Sequence, residues 1–167
     1  MKGILKNINK IPLEIVDLLS QDREVLNLLY NDSPDVLEQI EQEVDVKKLF
    51  DEEYIQLFSP LATEINHYKT NTTLSVLIDE INFFDVNIGA TVRIYVSCSN
   101  DLIKLSNNRN RLLSLVDKIS TSLQNAKFSC ASMVKLDSID YVIVNENRSG
   151  YRINLFINDQ QSKQVEI

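Results

Sequence analysis

The stretch from Thr91 to Asp159 constrains the fold most, because its apolar residues follow two different periods in a fixed order. Apolar and polar residues alternate in ATVRIYVSC, a helical period follows in NRNRLLSLVDKISTSL, and alternation returns in AKFSCASMVKL, DYVIVNE and GYRINLFIND. Alternation is typical of strands with one buried face, whereas spacings of three and four are typical of a helix packed on a core. The stretch therefore predicts a strand, a helix and three further strands.

A further strand precedes this stretch. Leu74, Val76 and Ile78 fall at alternate positions in TLSVLIDEINFF, which is rich in β-branched residues. The following DVNIG, with Gly89, has the composition of a turn, so this strand and Thr91–Cys98 are predicted to form an antiparallel hairpin.

A second hairpin is predicted near the end of the chain. The polar segment Asn145–Gly150 separates Tyr141–Val144 from Tyr151–Ile157 and has the residues that turns require. We therefore expect an α+β fold with a mostly antiparallel four- to five-stranded sheet, a helix inserted between strands, and N-terminal helices.

The predicted helices have identifiable starts and apolar faces. Pro12 favours the first turn of a helix, and Asp22 is suited to cap a second helix. The later helix is predicted from about Asn108 to Leu123. The residues expected to form the apolar faces are Leu13, Val16 and Leu19 in the first helix, and Leu112, Val116, Ile119 and Leu123 in the later one.

At 167 residues the chain is predicted to form a single domain. Its parts are an acidic helical N-terminal region (1–60), a sheet-and-helix core (71–159) and a polar tail (160–167). After the breaker cluster Asn31-Asp32-Ser33-Pro34, residues 31–60 form either another helix or a long irregular connection.

The charge is distributed unevenly along the chain. Residues 1–85 hold 17 acidic and 7 basic residues, a balance of −10, while residues 86–167 hold 7 acidic and 10 basic residues, a balance of +3. Such asymmetry suits packing of one copy's acidic half on another's basic half, and a solvated acidic surface is the alternative. The acidic balance argues against sequence-independent binding of nucleic acid.

The sequence carries no recognisable catalytic or cofactor motif, and we expect neither enzymatic activity nor a bound cofactor or metal. His67 is the single imidazole, and with Cys98 and Cys130 it does not complete a zinc ligand set. Cys98 continues the inward-facing positions of its strand and is expected to be a buried free thiol. Asp79, Glu80 and Asp85 lack an accompanying His and are expected at a solvated hairpin tip.

Seven residues are candidates for a protein interface. Arginines at a helix start do not favour the helix dipole, so Arg109 and Arg111 are either paired with an acidic partner subunit or simply exposed. Phe83 and Phe84 are adjacent in a strand, so one of them should leave the core, unless helices cover both faces of the sheet. The full set of candidates is Arg109, Arg111, Phe83, Phe84, Phe156, Asp79 and Glu80.

The order of elements resembles that of the tail-terminator and neck (head-to-tail connector) proteins of long-tailed bacteriophages. The resemblance rests on the N-terminal IVDLLSQDREVLNLLY, the hairpin ending in ATVRIYVSC, the NRNRLLSLVDKI helix and the closing GYRINLFIND strand. The acidic insert at residues 36–58 departs from the more compact members and leaves the exact neck role open.

The resemblance implies a structural protein that forms a ring, commonly of six subunits, at the top of the tail tube. Its partners would be further copies of itself, the tail tube protein and the connector proteins of the head, with DNA passing through the lumen. It implies assembly in the host cytoplasm and a final location in the neck of the virion, without membrane contact. The alternatives are a head-closure or adaptor protein of the same neck, and a cytoplasmic acidic module that mimics nucleic acid.

Overall fold

The computed structural model describes residues 8–38, 44–57, 71–83, 88–129 and 133–159. These residues form an α+β fold in which helices pack against one face of a five-stranded sheet. The helices are α1 (Ile11–Leu19), α2 (Arg23–Tyr30), α3 (Val46–Asp51) and α4 (Arg111–Gln124), and the strands are β1 (Ile55–Gln56), β2 (Thr73–Phe83), β3 (Ile88–Ser99), β4 (Met133–Asn145) and β5 (Arg148–Asp159).

The sheet has the order β1-β2-β3-β5-β4. The short strand β1 runs parallel to β2, and all other neighbours are antiparallel. The predicted α+β class is confirmed, as are the two hairpins β2–β3 and β4–β5. The sheet is nevertheless mixed, because of the parallel pair that β1 adds at one edge.

The beginning of the chain differs from the prediction in one respect. Leu13 is 49% exposed, whereas Ile11, Ile15 and Leu19 are buried. These three residues are spaced by four, which places them on one helical stripe, and the predicted stripe that began at Leu13 was therefore wrong at that residue. The predicted cap of α2 is confirmed, since the Asp22 side chain accepts hydrogen bonds from the backbone N–H groups of residues 24 and 25.

The inserted helix α4 follows the prediction closely. The Asn110 side chain caps it by accepting a hydrogen bond from the Leu113 N–H at 3.0 Å. The predicted apolar stripe is confirmed, with each of its four residues at most 6% exposed: Leu112, Val116, Ile119 and Leu123. Val116, Ile119 and Leu123 belong to the same hydrophobic core as residues of the sheet, including Ile94 and Leu155.

The strands AKFSCASMVKL and DYVIVNE were predicted as separate elements, and the structure corrects this. Residues 133–145 form the single strand β4, which has a register shift between Leu136 and Ser138. The shift marks a β-bulge, which changes the phase of the side chains, so that Leu136 and Ile139 face the same side. In the sequence, that change of phase resembles a break between two strands.

Two further segments can be compared with the predictions, the turn expected around Gly89 and the acidic segment after α2. Gly89 is not a turn residue, because it lies within β3 opposite Asn82 and Asn158. The break after α2 is confirmed, and the described part of the acidic segment contains a short helix, α3, the two-residue strand β1, and turns. Residues 39–43 and 58–60 of that segment lie outside the described residues.

Candidate functional site

Arg111 lies inside the fold, although it was predicted to be either exposed or paired with another subunit. Its side chain is 0% exposed. Its guanidinium donates hydrogen bonds of 2.7–3.0 Å to backbone carbonyls of Leu28, Asn31, Ser33 and Leu102. Both predicted alternatives for Arg111 were therefore wrong, because the residue joins the end of α2 to the start of α4.

The helix dipole explains why an arginine stands at the start of α4. The guanidinium does not hydrogen-bond with the N-terminus of α4. It contacts carbonyls at the C-terminal end of α2, where positive charge is favoured. Burial lowers the pKa of Arg111. Burial also raises the pKa of Asp32, and the positive charge of Arg111 partly offsets that rise.

Arg148 is a second buried arginine, which the sequence did not indicate as a candidate. It is 1% exposed and donates to the Ser97 and Thr73 side chains and to the backbone carbonyls of Asn71 and Ser97. Its contacts join the start of β2, the end of β3 and the start of β5. Each of the two arginines therefore has a structural role, in which its guanidinium connects segments that are distant in the sequence.

Cys98 is a buried free thiol, as predicted, with 0% exposure. Burial raises the pKa of Cys98 to about 11, partly offset by the nearby positive charges of Arg148 and Arg111. A raised pKa leaves little thiolate at neutral pH, so the group is a poor nucleophile and metal ligand. Cys130 and His67 lie outside the described residues.

Alkaline pH should weaken the native state through this thiol. The pKa of Cys98 rises from 9.0 to about 11 on folding, so between these values the unfolded chain releases a proton that the native chain retains. Stability contributed at Cys98 is therefore complete below pH 9 and declines as the pH rises towards 11. Urea unfolding at several pH values should show a smaller alkaline decline for Cys98→Ala, measured in a Cys130→Ser background. An identical decline in both proteins would contradict the prediction.

The hairpin β2–β3 exposes one of the predicted aromatic residues. Phe83 is 70% exposed at the end of β2, which agrees with the expectation that one residue of the pair leaves the core, while Phe84 lies outside the described residues. Glu80 is exposed, and Asp79 forms an ion pair with Arg93 at 2.8 Å. The strand β2 therefore presents an exposed aromatic ring at its end and, three residues earlier, the exposed carboxylate of Glu80.

Phe156 and Arg109 occupy different places. Phe156 is half-buried and lies on the other face of the sheet from the core residues Leu155 and Ile157. Arg109 is exposed and borders a surface groove near the ion pair between Lys118 and Glu24. The structure does not bring Arg109 together with Phe83, because one precedes α4 and the other ends β2.

The sheet face opposite the helices carries a polar network that the sequence did not reveal. Arg152 contacts Asp140 at 3.0 Å, and the Asn154 amide donates to Asp140 and Ser138. These hydrogen bonds, with Arg152 foremost, hold the pKa of Asp140 below its usual value. The residues become neighbours only through the register of β4 with β5, which was not predictable from local patterns.

The strand β4 also exposes a row of apolar side chains. Ile139, Tyr141 and Ile143 are 41%, 59% and 71% exposed, and we call these three residues the apolar row. They lie opposite Ile153, Tyr151 and Ser149 of β5, and so share one face of the sheet. Alternation at positions 139, 141 and 143 was visible in the sequence, but the position of β4 at the sheet edge was not.

Among the residues that the structure describes, no three His, Cys, Asp or Glu side chains gather as a metal site. None of the helices in the described ranges combines the length and apolar character needed to cross a bilayer. No protein-family model matches the chain, and no curated protein matches it.

Proposed function

We propose that this chain is a structural protein of the bacteriophage neck, which forms a ring on top of the tail tube and joins it to the head connector. The resemblance in element order motivates the proposal, and the exposed surfaces support it. The observation that carries it is the end of the β2–β3 hairpin, where Phe83 is 70% exposed, with the exposed Glu80 three residues earlier in the same strand. Exposed aromatic residues on strands are frequent anchors of protein interfaces.

The charge distribution indicates how copies would pack. The hairpin strand β2 belongs to residues 1–85, which have a balance of −10, and Arg109 belongs to residues 86–167, which have a balance of +3. Head-to-tail packing would place the acidic hairpin end of one copy near the Arg109 region of the next. Repetition of a head-to-tail contact generates a ring when the rotation closes.

The same charge distribution fits a channel for DNA. An acidic lumen would repel the phosphate backbone and keep DNA from adhering to the wall during passage. The partners in this function are further copies of the chain, the tail tube protein and head-side connector proteins. The protein would assemble in the host cytoplasm and remain in the neck of the virion.

Light scattering and electron microscopy test the ring. We expect rings when the protein is concentrated or mixed with tail tubes from the phage that encodes it, and we expect Phe83→Asp to abolish them. Leu13→Asp is the matched control, because Leu13 is also an exposed apolar residue but lies on α1. Charge reversal at Glu80→Lys should weaken the ring, and a second reversal, Arg109→Glu, should restore it. A protein that forms no ring and binds no tail tube would refute the proposal.

A second candidate follows from the balance of −10 in residues 1–85. A cytoplasmic module with this surface would mimic nucleic acid and bind a basic nucleic-acid-handling protein. It would remain free of tail tubes and would lose binding when acidic residues are neutralised. A head-closure or adaptor role in the same neck would instead bind the connector and not the tube.

A further inference from the structure

We infer that the apolar row of β4 is a self-complementary contact, through which two copies of the chain pair edge to edge about a two-fold axis at Tyr141. In the part of the chain that the structure describes, β4 ends the sheet and has a hydrogen-bonded neighbour, β5, on one side only. Register shifts interrupt β4 between Leu136 and Ser138 and again between Ile143 and Asn145. Residues 138–143 between them form a regular edge of about 20 Å.

The apolar row departs from the usual composition of an exposed edge. Proteins commonly protect such edges with charged side chains, bulges or a covering element. Here the bulges limit the length of the edge, but Ile139, Tyr141 and Ile143 remain 41–71% exposed on one face. The Tyr141 ring is held against Tyr151 with ring centroids 5.5 Å apart, so it is presented in a fixed position.

The row is symmetric about its central residue, which indicates a second copy as the occupant. In an antiparallel pair centred on Tyr141, Ile139 of each copy lies opposite Ile143 of the other, and the two Tyr141 rings meet. Asp140 then lies opposite Val142, so no carboxylate directly faces another carboxylate. A pair centred on Asp140 would oppose two carboxylates, which is unfavourable, and a pair centred on Val142 would leave Ile139 without an apolar neighbour.

This contact produces a closed dimer. A two-fold pairing uses the β4 edge of both copies, so no edge is left for a third copy at that site. The contact uses one six-residue strand edge of each copy, so we expect a weak dimer with a dissociation constant on the order of 10–100 µM. The inference goes beyond the proposed ring and is independent of it, since Phe83, Glu80 and Arg109 lie outside β4.

Cysteine cross-linking tests the register. In a Cys130→Ser background, Tyr141→Cys should form a disulfide-linked dimer under mild oxidation. Facing Cα atoms in antiparallel strands are about 4.5–5.5 Å apart, which suits a disulfide. Ile139→Cys alone and Ile143→Cys alone should not cross-link, whereas an equal mixture of the two should. Equal cross-linking by all three single variants would overturn the inference. The absence of cross-linking by Tyr141→Cys would also overturn it, and is the result expected if β4 made a head-to-tail contact instead.

Sedimentation equilibrium tests the energetics without cross-links. Tyr141→Lys should raise the dissociation constant of the dimer at least tenfold, an effect of about 1.4 kcal/mol or more. Leu113→Lys is the control, because Leu113 is a similarly exposed apolar residue on α4, at 48%, and should leave the constant unchanged. Circular dichroism checks that both variants fold. The inference would be overturned if Tyr141→Lys left the dissociation constant unchanged, or if the parent protein were still a monomer at millimolar concentration. Ring formation is tested separately, with Phe83→Asp.

Discussion

Arg111→Leu should lower the free energy of unfolding by about 4 kcal/mol, the largest effect that we expect from any single substitution. The substitution removes the guanidinium donors to four backbone carbonyls, those of Leu28, Asn31, Ser33 and Leu102, of which Ser33 also accepts from the Val36 N–H at 3.3 Å. A buried acceptor left without a donor costs roughly 1–3 kcal/mol, and water entering the site would recover part of that cost. Urea denaturation followed by circular dichroism measures the change.

Two variants separate the possible causes. Arg109→Leu, two positions earlier, alters an exposed residue and should change stability by no more than about 0.5 kcal/mol. Arg111→Lys keeps the charge but loses the planar fork that reaches several carbonyls, so it should recover only a minor part of the loss. A loss below about 1 kcal/mol in Arg111→Leu would show that the carbonyls find other donors.

Gly150→Ala should destabilise the protein by about 3 kcal/mol, because the position has no room for a methyl group. A Cβ atom there would lie 2.1 Å from the Val96 carbonyl oxygen and 2.8 Å from the Ser97 Cβ. The nearest obstacle is backbone of β3, so a rotamer change cannot relieve the contact and the strands must separate locally. Thermal and urea unfolding would both record the loss.

The matched control for this prediction lies in the turn of the same hairpin. Asn147 has an exposed side chain, and Asn147→Ala should leave stability within about 0.5 kcal/mol of the parent. If Gly150→Ala were no more destabilising than Asn147→Ala, strands β3 and β5 would be able to adjust their spacing freely. Such a result would also argue against the structural role of Arg148, because its hydrogen bonds depend on the same close spacing of β3 and β5.

The features that could be predicted from the sequence are those that depend on neighbours along the chain. The α4 stripe, the Asp22 cap and the burial of Cys98 follow from periodicity and local hydrogen-bonding capacity. The division of β4 into two strands was wrong for a related reason. A bulge shifts the alternation by one residue, and the local pattern of a bulge resembles that of a turn.

The features that could not be predicted depend on contacts between distant residues. Arg111 and Leu28 are 83 positions apart in the chain, so nothing near Arg111 indicates that it is buried. The parallel pairing of β1 with β2 was likewise hidden, because a two-residue strand has no period of its own. The exposure of the apolar row depends on the sheet order, which places β4 at an edge although it follows α4 in the chain.

The sheet order has a consequence for the kinetics of folding. Each hairpin, β2–β3 and β4–β5, joins strands that are adjacent in sequence, whereas the central pair β3–β5 joins residues as distant as Ile88 and Asp159. We expect the hairpins to form early and the central pair to form late, in a folding reaction of milliseconds to seconds. Arg148 would acquire its Ser97 acceptors, 51 positions away, only at that late step, so we expect the rate-limiting barrier to include the desolvation of a guanidinium group.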